Sequence, residues 1–576
     1  MPHDQQHKME IERAKNLLKQ RKAILSLPPE EALDRILDAK HPAALVQSFS
    51  EEDFYFLIHD IGPEDAVPLL PLASLRQWEY LVDMEVWRRD RVHIKSITRW
   101  LDLLLHSDPG RLAKWLVDEQ PDFFEFYLFK NIEVVEREHD QDPGDLGKGF
   151  ITFDDVHYFR FITNPFDPEM DVKDAEDRNE VLLKLLGHIA EMDHIKFQQL
   201  LLESAAVIPA ESEEEIYRMR NVRLAEKGFL PFDEAVGVYQ PLSARDLEHQ
   251  GKKYFVNDGR QTQYLPAPLY PSGMLSADNP FTDALSVIDS EEILQQLQTE
   301  FAGLANQIIA ADQKPMQSKE ALTGVVKKAC GYLSIGLREL SKKKQKADAG
   351  RNAALIQAHP LSRIFRVGYG LALKLKWRAE RWRTRCWFVE KKLPLRFWDE
   401  HWMGVLGGLF VKTPLFFDNY ITGDLYREFI SFEDIEKTED ALNDVIAFDD
   451  LLSLIPVDID SISSGVFLTY KNLILTLWAG YYLGLPDAFG CLKVDQFIRF
   501  FDDLWVESQK PRRIKRSMKE SFLKWICEKT DLDPSEVSDR VGKTLEAIFE
   551  EMESELGSVA PKDLDTRYIH LFLLEI

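Results

Sequence analysis

Cysteine is scarce in this chain. Four occur in 576 residues, at Cys330, Cys386, Cys491 and Cys527, and none stands in a CxxC, so the spacing offers neither a disulfide framework nor a cysteine zinc site. That usage suits a reducing compartment, and a cytoplasmic location is the expectation. Long apolar runs are also missing. The most membrane-like stretch, Leu473–Leu485, has 13 uncharged residues against the roughly 20 that a spanning helix needs, and it reads as a buried core helix. Met1–Lys22 is charged throughout and lacks the apolar centre of a secretory signal, so export is not expected. Catalytic signatures are absent too: no GxxxxGK[ST] to cradle a phosphate, no GxGxxG after a strand, no HExxH and no GxSxG. No cofactor and no catalytic residue is expected, and a non-enzyme is the preferred reading.

What the chain has is length, helical periodicity and an uneven charge. A single core is implausible at this size, and two to four domains of roughly 100 to 200 residues are expected. Apolar content of 45% with 29% charged residues places it among globular proteins rather than disordered ones. The net charge is −26, yet Lys314–Trp402 holds about 21 Lys and Arg against about 7 acidic residues. Fields of opposite sign this large attract, within one molecule or toward a partner.

Short helices with clear punctuation fill 26–130, after an N-terminal helix or tail at 1–25. Ser50-Glu51-Glu52-Asp53 has the form of a capping box, Phe54, Leu57, Ile58 and Ile61 follow at helical spacing, and Gly62-Pro63 ends the run. Leu75, Trp78, Leu81 and Val82 give a second face, Ile94, Ile97, Leu101 and Leu104 a third, and Asp108-Pro109 starts another helix. Helices this short must stack on one another, as in a superhelical, armadillo-like array. Residues 131–265 form a mixed segment: β-favouring runs around Asp142-Pro143-Gly144-Asp145 predict a hairpin, and Asp258-Gly259 predicts a second within Lys253–Leu265. A proline-rich linker (266–282), a basic helical domain (283–402) and a C-terminal helical domain (403–576) complete a mostly α fold, with at least about 55% helix and under about 15% strand, the strand mainly in 131–163 and 251–266. Gly404, Gly407 and Gly408 predict close helix packing. Acidic pairs after Phe153, Phe232, Phe432, Phe448 and Phe501 predict helix starts.

The phrases Leu27-Pro28-Pro29-Glu30-Glu31-Ala32, Ser50-Glu51-Glu52-Asp53 and Ile61-Gly62-Pro63-Glu64-Asp65-Ala66 resemble the helical cytosolic N-domain of MgtE-type magnesium transporters, itself similar to armadillo-like segments of the flagellar motor switch. The nucleotide-binding-type modules and membrane bundle that follow in those transporters have no counterpart here, so transport does not carry over. The whole chain, most of all His359–Tyr369 (HPLSRIFRVGY) and Phe229–Ala235 (FLPFDEA), resembles a family of large bacterial proteins known only as a domain of unknown function. That likeness implies a cytoplasmic bacterial protein and no particular activity.

Two constellations remain. Glu191 and His194, with His188 one turn earlier, form a Glu-x-x-His group of the kind that holds di-iron in four-helix bundles; a second match, Glu136 to His139, lies in the predicted hairpin. Such sites need both motifs plus two more glutamates, and so acidic a chain supplies triplets by chance. A solvated helix face, with no metal, is the preferred reading. The other constellation is a helix over Leu361–Cys386 with an apolar stripe (Ile364, Phe365, Gly368, Leu371, Ala372, Leu375, Ala379, Trp382, Cys386) and a cationic arc of Arg363, Lys374, Arg378, Arg381 and Arg385 beside Trp377 and Trp387. The preferred reading makes these cations internal counter-charges for the acidic lobes, in a helical scaffold or adaptor that binds another protein. The alternative is a phosphate track for nucleic acid, continued by the basic island Lys510–Lys519. A metal-dependent enzyme with an unrecognised site is the third reading.

Overall fold

Most helices of the N-terminal third begin at a proline or behind a side-chain cap. Pro29, Pro42, Pro109 and Pro121 occupy first-turn positions, where the missing N–H costs no hydrogen bond. Ser50 Oγ accepts from Asp53 N at 3.1 Å, and Gly62, at φ +104°, ends that helix in a conformation that favours glycine. Ser74 and Gln77 close a capping box, and Asp108 accepts from Arg111 N. The computed structural model describes residues 2–88, 90–162, 171–227, 229–249, 251–253, 279–313, 319–341, 348–459, 467–485, 490–506 and 511–575. The predicted hairpin at 253–265 and nearly all of the predicted linker lie outside the described residues.

The chain divides into two compact units, Met1–Leu333 with Leu337–Arg366 and Ser334–Gly336 with Val367–Ile576. The first begins with α1 (Pro2–Leu25), α2 (Pro29–Leu37), α3 (Pro42–Val46), α4 (Glu51–Ile61), α5 (Leu75–Glu85), α6 (Ile94–Ser107), α7 (Pro109–Asp118) and α8 (Pro121–Asn131). Neighbours pack in succession, α4 on α5, α5 on α6, α6 on α7 and α7 on α8. Trp78, Trp100, Phe54, Phe124 and Tyr127 are fully buried by this stacking. Then come α9 (Val172–Met192), lying on α6 and α7, α10 (His194–Ala205), on α8 and α9, and α11 (Pro209–Ala225), on α5 and α8. α12 (Phe232–Ala235), α13 (Ala244–His249), α14 (Pro280–Ser286), α15 (Glu291–Asp312), α16 (Lys319–Ser341) and α17 (Ala349–Ala358) follow.

Strand is sparse. β1 (Trp87–Arg88) and β2 (Arg91–Val92) form a two-residue ladder; β3 (Ile132–Glu136), β4 (Ile151–Thr152) and β5 (His157–Phe161) form an antiparallel sheet in the order β3-β5-β4. The predicted hairpin is therefore a three-stranded sheet: Ile132 pairs with Phe161 and Ile151 with Phe159, while Pro143–Leu146 makes a 3-10 turn in the connection. Helix amounts to 71% of the described residues, above the expected floor, and the strands among them are a few small antiparallel pairs.

α18 (Leu361–Arg383) runs through the boundary between the units. The second unit continues with α19 (Trp387–Glu390), α20 (Asp399–Phe410), β6 (Phe416–Phe417), β7 (Tyr426–Arg427), α21 (Phe432–Leu454), α22 (Tyr470–Tyr482), α23 (Val494–Leu504), α24 (Arg516–Thr530) and α25 (Pro534–Leu556). α21 packs on α19, α20 and α25, and α22 on α23 and α24. α22 carries the most apolar stretch, with Leu473, Ile474, Leu475, Trp478 and Ala479 fully buried; among the described residues no helix is long and apolar enough to cross a membrane. The glycines of α20 mark a tight approach: a Cβ on Gly404 would lie 2.4 Å from the Phe417 ring, and one on Gly408 2.4 Å from the Leu415 carbonyl. The phenylalanine and acidic-pair rule holds at Phe232 and Phe432, which open α12 and α21. It fails at Phe448 and Phe501, which lie inside α21 and α23, and at Phe153, which lies in a loop, because apolar periodicity already extends through the first two.

Candidate interaction surface

The apolar stripe of α18 is buried as its spacing requires. Ile364, Phe365, Ala372 and Ala379 are completely inaccessible and Leu375 nearly so. The helix ends at Arg383, before the expected Cys386, and a buried carboxylate fixes the turn that follows. Asp449 of α21 accepts from Trp382 Nε1 (3.3 Å), Trp387 N (3.1 Å) and Phe388 N (2.9 Å). It thereby ties the end of α18 to the start of α19, whose first N–H groups need an acceptor. Burial raises its pKa to about 6 against those three donors.

The cationic arc faces water, contrary to the expectation of internal counter-charges. Lys374, Arg381 and Arg385 are exposed, and so are Arg383, Lys391, Lys392 and Arg396 beyond them. Among the described residues none of these seven has a carboxylate within ion-pair distance; Arg381 Nε donates to the Trp377 carbonyl, and the Arg383 guanidinium lies 4.7 Å over the Phe410 ring. Arg378 reaches Glu439 only at 3.8 Å, with about half of each side chain in water. Lys376, which the sequence arc omits, is the paired one: it meets Glu380 at 2.7 Å and donates to the Val411 carbonyl. Trp377 is 43% exposed within this ring of charge. Arg363 stands apart. It belongs to the first unit and donates to the Gly251 carbonyl at 3.0 Å. The reason for the difference is position: the stripe uses up the buried face of α18, and the cations occupy what remains.

The basic island near 510–519 behaves differently. Arg513 pairs with Glu553, Arg516 with Glu520 and Lys519 with Glu546, while Arg512 donates to the Gly557 and Val559 carbonyls. The charge of these four residues is met locally, and to that extent they do not continue the arc.

His188, Glu191 and His194 do not share a helix. α9 ends at Met192, and Asp193, in an extended conformation, caps α10 by accepting from Ile195 N and Lys196 N. All three side chains are exposed, and among the described residues no group of three His, Cys, Asp or Glu is placed to hold a metal. Asp193 is the residue that breaks the motif, since an aspartate that caps the next helix cannot continue the previous one. Glu136 ends β3, and His139 is exposed in the loop after it.

Sequence reasoning missed Arg383, Lys391, Lys392 and Arg396 as members of the surface, because a 100° arc drawn over a straight helix ends where the helix does. It also missed Asp449, for which the only signal was an acidic residue on the apolar face of a long amphipathic helix. No curated protein and no solved structure matches the chain. The model of a family of unknown function, DUF6178, matches residues 10–575, and by that match over nearly its whole length the chain belongs to this family.

Proposed function

We propose that the protein is a non-enzymatic helical scaffold or adaptor of the cytoplasm, and that it docks an acidic segment of another protein on the cationic surface formed by α18 and the turns on either side of α19. The observation that carries this reading is the set of seven exposed cations without a carboxylate partner among the described residues, in a chain of net charge −26. Leaving so many like charges together is unfavourable unless something neutralises them. The apolar side of such a partner has a seat in Trp377, which is half in water beside the guanidiniums. The stacked helices of the first unit suit the same role, and the likeness of residues 26–130 to the cytosolic N-domain of MgtE-type transporters belongs to this proposal as a binding module.

A second reading draws on the same tryptophan. An exposed indole among arginines is also a stacking platform for single-stranded nucleic acid, although the net charge of the molecule opposes a polyphosphate at long range.

Affinity capture with the full chain separates the two. Wild-type bait is compared with Arg381→Glu/Arg385→Glu bait, each with and without nuclease treatment. A protein that survives nuclease, elutes with salt and is missing from the double variant is the expected result. Capture that disappears with nuclease would establish the second reading, and equal capture by both baits would remove the arc from either.

A further inference from the structure

The second unit also contains a cleft of about 210 Å³, independent of the cationic arc, lined by residues of α20, α21, α22 and α25. Its size lies below the roughly 300–1,000 Å³ of sites for drug-sized ligands, so it suits a compact molecule. Part of the lining is aromatic: Trp402 and Tyr470 stack with centroids 4.5 Å apart and planes 18° from parallel, and Trp398 lies 5.8 Å from Trp402. Another part is charged, with one ammonium shared by two carboxylates: Lys471 is held between Asp399 and Glu551, the latter at 2.6 Å. Asp399 holds that position at φ +59°, ψ 176°, a region nearly confined to glycine and costing on the order of 1–3 kcal/mol.

The remaining charges are the informative ones. Asp444 and Lys543 line the same cleft and feel each other's field, yet they do not close into an ion pair, and among the described residues neither has another ion-pair partner; Asp444 also feels Asp440 and His401, the latter in the same lining. Asp444 is half-buried, and its pKa is raised, first by desolvation. A half-buried unpaired carboxylate and an exposed unpaired ammonium on one small cleft, beside the accessible edges of the buried Trp402 and Tyr470 rings, are the complement of a molecule with the reverse arrangement.

We propose that this cleft binds a small zwitterion of the amino-acid class with an apolar side chain. The ligand's ammonium lies on Asp444, its carboxylate on Lys543 and its side chain against the edges of the Trp402–Tyr470 stack. Apolar contact with the ring edges supplies affinity and the two ion pairs supply selection, most of it at Asp444, because a ligand without an ammonium leaves that half-buried carboxylate unmatched while the exposed Lys543 adds the attraction for a carboxylate.

Calorimetric titration of the full chain tests this with three probes of one skeleton: L-leucine, 3-methylbutylamine without the carboxylate, and 4-methylpentanoate without the ammonium. L-Leucine should bind at least about tenfold more tightly than either truncated probe. Asp444→Asn should abolish binding of both L-leucine and the amine. Lys543→Gln should keep the amine affinity of the wild type, which also shows that the variant is folded, and should remove the preference for L-leucine over it. Absence of L-leucine binding at millimolar concentration, equal binding of L-leucine and the amine by wild type, or L-leucine binding unchanged in Asp444→Asn would each overturn the proposal.

Discussion

On α11, Arg223 grips Asp83 with two hydrogen bonds of 2.8 and 2.7 Å, Arg220 donates to the Asp83 carbonyl at 2.7 Å with its guanidinium over Trp87, and Lys227, just past the helix, meets Glu51 at 2.6 Å. On α18 and in the turn just past it, Arg381 and Arg385 meet no carboxylate among the described residues and point into water. Residues of one chemical type thus serve as internal fastening in the first unit and as open surface in the second. What decides between them is whether the helix buries its cationic side, since α11 carries its cations toward α5, whereas α18 gives its buried face entirely to an apolar stripe. An arginine count locates neither role; burial assigns both.

The largest effect that would break this comparison lies at Asp83. Its carboxylate is 6% exposed, and burial raises its pKa even with Arg223 beside it. Asp83→Ala removes both short hydrogen bonds of Arg223, leaving it Glu79 at 3.3 Å, while Arg220 keeps the backbone carbonyl; the cost should be about 3 kcal/mol, the low end for a broken buried pair, because that second carboxylate remains and a third of the Arg223 side chain touches water. Urea denaturation followed by the first unit's tryptophans measures it. A loss under about 1 kcal/mol would mean that α11 is fastened by packing alone.

Next in size is a pH effect in the same network. Glu52 is buried, one of its oxygens has no hydrogen-bond partner, and Lys227 stays 3.9 Å away; desolvation raises its pKa from 4.5 to about 7. The folded chain therefore keeps a proton between pH 4.5 and 7 that the unfolded chain releases. Stability falls as pH rises through that window, and above pH 7 the full cost, on the order of 3 kcal/mol, remains. Glu52→Gln should raise the denaturation midpoint at pH 8, leave it unchanged near pH 4, and flatten the slope between. A variant with the wild-type slope would place the titration elsewhere.

How much of this was legible beforehand follows the same physics. Ser50 and Asp108 act within three residues of themselves, so their helix starts can be read directly from sequence. The stripe of α18 could be read too, because periodicity records burial. What lay across the arc could not, since Glu439 is the closest carboxylate to Arg378 and stands 61 residues away with no local signal. The two-residue ladders at 87–92 and 416–427 are too short to show a period of two. The metal triplet failed for a local reason that was present in the sequence all along: Asp193 between Glu191 and His194 is a strong N-cap residue, and the helix restarts there.

The smallest expected effect sharpens the comparison most. Arg381 spends one hydrogen bond on the carbonyl of Trp377 in its own helix, and its charge has no partner to lose among the described residues. Substitution by glutamine keeps a straight side chain with good helix propensity, so Arg381→Gln should alter stability by no more than about 0.5 kcal/mol in the same urea measurement that registers Asp83→Ala. An internal counter-charge at this position would instead lose stability on substitution, because its acidic partner would be left unpaired. A ring of like charges predicts the opposite sign: removing one of several neighbouring cations lessens their mutual repulsion, and the gain should shrink as salt is added, because interactions between exposed charges beyond about 10 Å are screened at 0.1 M salt. A small stabilisation of Arg381→Gln at low ionic strength that vanishes at high ionic strength is therefore the signature of an open cationic surface. A destabilisation that persists in salt would instead reveal a buried acceptor for this guanidinium, and α18 would then join α11 as internal fastening.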